Sequence, residues 1–131
     1  MEDNFGTAIA TLTGLTSVEE STVAKIEKSY PKAPSDYLRF LREAGYGDVG
    51  PYMIYSGLVE PEEIYGPDSD TLRGKVILFG DDRALVSVGF DLHSWQVVEI
   101  DHATKAIGFV AATFADFLFG ILLAEGPRQR H

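Results

Sequence analysis

The chain has 131 residues, of which 20 are Asp or Glu and 11 are Lys or Arg, so its formal charge is −9. This length predicts one domain, because domains usually contain about 100–150 residues. The acidic balance disfavours binding to nucleic acid or to anionic membrane, both of which depend on Lys and Arg, and the lack of Cys excludes disulfide bonds and thiolate zinc sites.

The first third of the chain is predicted to be helical. Residues 16–20 (TSVEE) contain two overlapping capping boxes, which predict a helix start, and Pro31 predicts the end of that helix. A second helix is predicted with Ser35 as its N-cap, because apolar residues then follow at helical spacing. Gly45 is expected to supply the left-handed residue that ends it.

A sheet is predicted after this helix. Five short apolar or aromatic runs are bounded by Gly, Pro or turn residues, which is typical of strands. They are residues 52–55, 76–79, 84–91, 96–101 and 107–111. The last three runs are joined by links of hairpin length, so we expect a meander. Residues 56–74 are interpreted as a long acidic loop with one helical turn at 61–64.

The end of the chain is predicted to return to helix. Thr113 is a suitable N-cap with Asp116 three residues later, and Gly126-Pro127 is expected to end the helix before a frayed tail at 128–131. We therefore predict an α+β fold with N-terminal helices, an antiparallel meander sheet of about four to five strands, and a C-terminal helix packed on that sheet. Residues 1–131 are expected to form one domain with an ordered core at about 16–125.

Two features of the sequence bear on localisation. The opening Met1-Glu2-Asp3-Asn4 has neither a basic nor an apolar region of the kind that a signal peptide needs. The longest apolar stretch, residues 117–124, is much shorter than the ~20 residues of a membrane-spanning helix. We therefore expect a cytoplasmic protein that does not bind membranes.

A glycine-rich motif lies between the predicted helices and the sheet. Residues 45–50 (GYGDVG) match the G-x-G-x-x-G pattern of dinucleotide-binding loops. Such a loop functions only between a strand and a following helix, because the helix N-terminus must face the pyrophosphate. Here the order is reversed, since a helix ends at Gly45 and Pro51 leads into a strand. We interpret the motif as a helix C-terminus and a turn, and we expect no cofactor.

Four residues have side chains that commonly bind metals, namely Asp91, His93, Asp101 and His102. The first two flank one predicted turn, and the other two open the next turn at the opposite end of the intervening strand. About five residues of strand span ~16 Å, so the two pairs are too far apart to share one ion. We therefore expect no metal site.

Adjacent carboxylates occur at Glu62-Glu63 and at Asp81-Asp82. Neighbouring residues point to opposite faces of a strand and diverge by ~100° on a helix, so neither pair converges by itself. The chain has no Cys, and no Ser lies in a G-x-S-x-G motif. The sequence therefore offers no catalytic residues, and we expect a protein that is not an enzyme.

The negative charge is concentrated in the middle of the chain. Residues 60–70 contain five acidic residues and no basic residue. Such a run can simply keep a protein soluble, or it can form an acidic face that attracts a basic partner, with nearby Tyr side chains contributing affinity. On the second hypothesis, the candidate partner-binding residues are Glu60, Glu62, Glu63, Asp68, Asp70, Asp81, Asp82, Tyr52 and Tyr65.

Several segments resemble the SUKH superfamily in their order and spacing. The helix motif at 34–41 (PSDYLRFL), followed by Gly45 and Gly47, resembles the second helix of that family. The resemblance continues through a central FGDD, a strand ending in FD, a VVEI strand and a closing TFADFL helix. These segments are residues 79–82, 90–91, 97–100 and 113–118. The likeness extends from about residue 18 to 123.

The resemblance implies a non-enzymatic α+β binding module. The superfamily includes bacterial immunity proteins that neutralise polymorphic toxins, often nucleases, and fungal Smi–Knr regulators of cell-wall synthesis. We therefore expect an immunity protein that binds a basic toxin domain, and the alternative is a regulatory scaffold in cell-wall synthesis or signalling. An enzyme with a scattered site is a third hypothesis, which the lack of a nucleophile–base pair in the sequence disfavours.

Overall fold

A computed structural model describes residues 3–128 of the chain, with the side chains of residues 3–124. Within these residues the chain forms five α-helices and six strands. The helices are α1 (Asn4–Ala10), α2 (Glu20–Ser29), α3 (Ser35–Glu43), α4 (Pro61–Tyr65) and α5 (Phe114–Arg128). The strands are β1 (Gly47–Val49), β2 (Tyr52–Val59), β3 (Val76–Asp81), β4 (Val86–Asp91), β5 (Val97–Asp101) and β6 (Ile107–Ala111). A 3-10 turn at Gly66–Ser69 follows α4.

The strands form one antiparallel meander in the order β1-β2-β3-β4-β5-β6. This confirms the predicted α+β class, and five of the strands lie between Tyr52 and Ala111 as expected. The sixth, β1, was not predicted. Its sequence Gly-Asp-Val has no strand-like alternation, and its conformation depends on pairing with β2, where Gly47 lies opposite Ile54.

One face of the sheet is covered by helices α2, α3 and α5, as the sequence predicted for α3 and α5. Aromatic rings fill the space between these layers. The ring of Tyr37 lies 5.3 Å from that of Phe90 and 5.4 Å from that of Phe114, and Phe79 lies 4.9 Å from Phe90. All four side chains are fully buried. This cluster fixes how α3 and α5 sit on the sheet.

The opposite face carries a smaller apolar cluster. It contains the buried side chains Leu72, Val76, Leu78, Val98 and Ile100, with Tyr55 and Tyr65 packed against them. The predicted acidic loop therefore lies against this face instead of projecting from it. Its first four residues, 56–59, belong to β2, because that strand continues beyond the predicted end. The predicted helical turn is confirmed as α4.

The start of α2 differs from the prediction. The two capping boxes in residues 16–20 do not form; the N-cap is Glu19, whose side chain makes no capping bond. The reason is that Thr16 is extended, and its backbone N–H and C=O exchange 2.9 Å hydrogen bonds with Tyr46. A long-range bridge thus replaces the local cap. The end of the helix at Ser29, shortly before Pro31, agrees with the prediction.

The start of α3 and the beginning of the chain also differ in detail. Pro34 is the N-cap of α3, and Ser35 is its first helical residue instead of the cap. Gly45 follows the helix with φ of 108°, as predicted for a left-handed residue. Helix α1 lies outside the predicted ordered core, and it contributes the buried Ile9 to the main cluster.

Helix α5 begins as predicted, where Thr113 Oγ1 accepts a 3.0 Å hydrogen bond from the N–H of Asp116. It does not end at Gly126-Pro127, since the helix continues to Arg128. Pro127 lacks an N–H, but this removes one bond in the last turn and leaves the preceding turns intact. Of the predicted frayed tail at 128–131, Arg128 is the last residue of the helix, and residues 129–131 lie outside the described residues.

Candidate binding surface

The acidic segment, defined as residues 60–70, is held at its start by a capping box. The Glu60 carboxylate accepts the backbone N–H of Glu63, and the Glu63 side chain accepts the Glu60 N–H in return. The Tyr30 hydroxyl also donates a 2.5 Å hydrogen bond to Glu60 Oε2. Burial, and then this bond, raise the pKa of Tyr30. Glu60 therefore fixes α4 to the end of α2.

Further along the segment, side chains from strand β4 and from the β5–β6 turn meet at Tyr65. Its hydroxyl shares a 2.8 Å hydrogen bond with Ser87 Oγ, which lies 3.2 Å from Nε2 of His102. Lys105 Nζ lies 4.7 Å from the centre of the Tyr65 ring. The sequence did not predict this cluster, because its members are distant along the chain and no local motif marks them.

A serine beside a histidine is the arrangement of an activated nucleophile. Here Ser87 is fully buried and its Oγ faces Tyr65, so a substrate would have to displace Tyr65 to reach it. The geometry is that of a hydrogen-bonded contact that holds the acidic segment on strand β4. Together with Glu60, it holds the segment at two points.

Between and beyond these contacts, four carboxylates of the acidic segment are exposed: Glu62, Glu63, Asp68 and Asp70. Asp70 forms a 3.1 Å ion pair with Arg73, and both side chains are more than half exposed. Among the described residues, the other three form no ion pair within 4.0 Å. The segment therefore presents negative charge to solvent on a fixed backbone.

Asp81 and Asp82 instead accept hydrogen bonds from the β3–β4 turn and, for Asp81, also from strand β2. Asp81 accepts hydrogen bonds from the Tyr55 hydroxyl, at 2.6 Å, and from the Arg83 N–H, at 2.9 Å. Asp82 Oδ1 accepts the N–H groups of residues 84–86. Desolvation opposes ionisation of Asp82, but these three bonds outweigh it and lower the pKa. Both carboxylates shape the β3–β4 turn.

The two candidate tyrosines lie on opposite faces of the sheet. Tyr65 belongs to the small cluster beside the acidic segment, whereas Tyr52 packs against Phe117 of α5, with ring centres 5.1 Å apart. The nine candidate residues therefore do not form one continuous surface. The seven acidic residues and Tyr65 lie on the acidic segment or at the β3–β4 turn, whereas Tyr52 borders a different feature.

That feature is a groove of about 330 Å³ between α5 and the neighbouring ends of β2 and β6. Its lining residues are Pro51, Tyr52, Val110, Ala111, Asp116, Phe117, Gly120, Ile121 and Ala124. The buried Phe117 and Ile121 give the groove an apolar interior. No local sequence signal marks this groove, because it forms only where three separate elements meet.

The remaining motifs have local structural roles. The Asp91 carboxylate accepts the N–H groups of His93 and Ser94, and Asp101 accepts those of residues 103–104. In the described part of the chain, no group of three or more His, Asp or Glu residues is placed to hold a metal ion. Over the same residues, no helix is long and apolar enough to cross a membrane.

Comparison with protein-family models and with curated proteins finds no match for this chain. The resemblance to the SUKH superfamily therefore remains a prediction from the sequence motifs.

Proposed function

We propose that this chain is a non-enzymatic binding protein of the immunity type, which neutralises a basic toxin domain by covering its surface. The observation that carries the proposal is the acidic segment, whose exposed carboxylates stand on a backbone held by Glu60 at one point and by Tyr65 at another. A flexible acidic loop would be sufficient for solubility. A fixed one favours recognition, because ordered groups lose less conformational entropy on binding.

The charge of the molecule supports a basic partner. An acidic face raises the rate of encounter with a basic surface and disfavours acidic competitors. We propose Glu62, Glu63, Asp68 and Asp70 as the residues that face the partner, because all four are exposed, whereas Asp81 and Asp82 are half-buried and shape the β3–β4 turn. The SUKH-like motifs support the choice of a toxin as the partner.

The proposal favours binding over catalysis because of how Ser87 and His102 are placed. Their hydrogen bond is the nearest approach to a nucleophile–base pair that the described residues offer, and the serine hydroxyl is covered by Tyr65. An active site needs an accessible reacting group in a pocket. The groove beside α5 is lined by neither residue.

The test is capture of the partner from the native host, followed by expression of that partner in cells with and without this chain. The proposal expects a basic protein whose toxicity is suppressed by the wild-type chain, and less so by a variant with Glu62, Glu63, Asp68 and Asp70 changed to Lys. A captured cell-wall enzyme, with altered activity and no toxicity, would instead support the regulatory scaffold. Equal protection by the reversed variant would contradict the role of the acidic segment.

A further inference from the structure

Gly120 occupies an exposed position in the interior of α5, where glycine is a poor helix former. Packing among the described residues does not explain it, because a Cβ added at this position would meet none of their atoms within 4 Å. A larger residue would therefore fit the folded protein and would favour the helix. What the glycine does provide is open space, since it forms part of the lining of the groove beside α5.

The chemistry of the groove is apolar inside and acidic at its border. Phe117 and Ile121 supply the interior, and the exposed Asp116 lies one helical turn before Gly120 on the same face of α5. On the other side, burial and then the nearby carboxylates of Glu99 and Asp82 raise the pKa of Tyr52. The lining of the groove therefore contains one exposed carboxylate, that of Asp116, and two further carboxylates lie near Tyr52.

These carboxylates are available to a cation. Neither Asp116 nor Glu99 forms an ion pair within 4.0 Å among the described residues. By contrast, the helix-side arginines Arg39 and Arg42 are each paired with two carboxylates. The border of the groove is thus a negative site that the described part of the chain does not neutralise.

We propose that this groove receives an arginine side chain, flanked by apolar residues, from the basic partner. An arginine has an apolar stem that would cover Phe117 and Ile121, and a planar guanidinium that can pair with Asp116 and stack on the Tyr52 ring. The volume of about 330 Å³ is at the lower end of the range for small-ligand pockets, which suits a few side chains. This proposal rests on the proposed function for the identity of the partner.

The first test uses a blocked tripeptide, acetyl-Leu-Arg-Leu-amide, titrated into the ¹⁵N-labelled chain and followed by NMR. We expect saturable shifts at the amides of Val110, Ala111 and Gly120. The matching peptide with citrulline in place of arginine has the same shape without the charge, and it should bind about two- to fivefold more weakly, as for a partly exposed ion pair. Asp116→Asn should remove the difference between the two peptides.

The second test fills the groove. Gly120→Leu introduces a good helix former into open space, so the variant should fold and should abolish the peptide shifts. The matched control is Leu123→Ala, which changes an exposed apolar residue of the same helix outside the groove and should leave binding unchanged. Circular dichroism verifies that both variants are folded. Undiminished binding to Gly120→Leu, shifts confined to residues 60–70, or no saturable binding would each overturn the proposal.

The outcome is separable from that of the proposed function. If a captured toxin responds to charge reversal in the acidic segment but binds Gly120→Leu as tightly as wild type, the groove proposal is wrong and the proposed function stands. If the peptide binds the groove with an Asp116-dependent preference for arginine and no captured partner is toxic, the arginine site stands and the immunity function is wrong.

Discussion

At the scale of single residues, Phe117 makes contacts that link α5 to the sheet. Its side chain is 4% exposed, and its ring centre lies 5.4 Å from that of Phe79 and 5.1 Å from that of Tyr52. Phe117→Ala is expected to lower the free energy of unfolding by about 3–5 kcal/mol, as for other buried Phe truncations. Urea denaturation measures the change. The control Leu123→Ala, at a side chain that is 71% exposed, should stay within about 0.5 kcal/mol of wild type.

Tyr37 presents a different case, because its ring is well packed and its hydroxyl is not bonded. The residue is fully buried, and among the described residues its hydroxyl has no hydrogen-bond partner. Since an unsatisfied buried polar group costs about 1–3 kcal/mol, Tyr37→Phe should stabilise the fold by about 1 kcal/mol. Thermal unfolding measures the sign. Tyr30→Phe is the opposite control, because it removes the bond to Glu60 and should lower the melting temperature.

At the scale of elements, the hairpin turns of the meander depend on ionised aspartates. The N–H of Ser94 is the main cause of a lowered pKa at Asp91, and the N–H of Thr104 has the same effect at Asp101. Because the pKa of each is lower in the folded chain than the unfolded value near 3.9, these bonds stabilise the fold above that pH and are lost as the pH falls through the folded value.

We therefore expect the free energy of unfolding to fall on acidification below about pH 4. The double variant Asp91→Asn, Asp101→Asn removes two of the responsible carboxylates while keeping a side-chain oxygen that can accept turn hydrogen bonds. Its stability should depend less steeply on pH than that of wild type, which denaturant titrations from about pH 5 to pH 2 would measure. Equal slopes for the two proteins would show that other groups govern acid unfolding.

The elements also show which parts of the structure the sequence could predict. Strand β6 and the Thr113 cap of α5 were predicted because their signals are local: an apolar run, and a hydroxyl three residues before an acidic one. Strand β1 and the bridge between Thr16 and Tyr46 were not predicted, since both depend on a partner elsewhere in the chain. The conformation of these segments is determined by pairing with distant residues and not by the intrinsic β-propensity of their own sequence.

The candidate site likewise combines features that have a local sequence signal with features that depend on tertiary pairing. The exposed acidic segment and its helical turn could be predicted from composition and from Pro61 at the start of α4. Two other features could not be predicted, because both follow from how the strands pair. They are the contact of Tyr65 with Ser87 and the separation of Tyr52 from Tyr65 by the sheet. Alternation along one strand assigns residues to its two faces, but it does not identify which residues of other elements lie on the same face.

At the scale of the whole molecule, the charge is unevenly neutralised. Arg42 of α3 pairs with Glu20 and Glu27 of α2, at 3.0 and 2.7 Å, so acidic residues on the helical side have cationic neighbours. Among residues 3–124, the exposed acidic segment has one such pair, between Asp70 and Arg73. The field of the protein should therefore be most negative over this segment, which would orient a basic partner before contact.

The last prediction tests this orientation by association kinetics with the captured partner. Changing Glu62, Glu63, Asp68 and Asp70 to Lys should slow association by about one to three decades, because electrostatic steering acts on the encounter rate. Raising the salt concentration from about 50 to 500 mM should slow the wild type in the same way, since the Debye length shortens. Stopped-flow mixing measures both rates.

A matched pair of variants separates local charge from net charge. Glu62→Gln with Glu63→Gln raises the net charge by two units on the acidic segment, and Ser21→Lys with Ala24→Lys raises it equally at exposed positions of α2. If the segment faces the partner, the first pair should slow association more than the second, because the steering field acts over about a Debye length. Equal slowing by both pairs would mean that net charge alone attracts the partner. If the association rate depends neither on salt nor on any of these substitutions, the acidic segment does not attract the partner and serves only to keep the protein soluble.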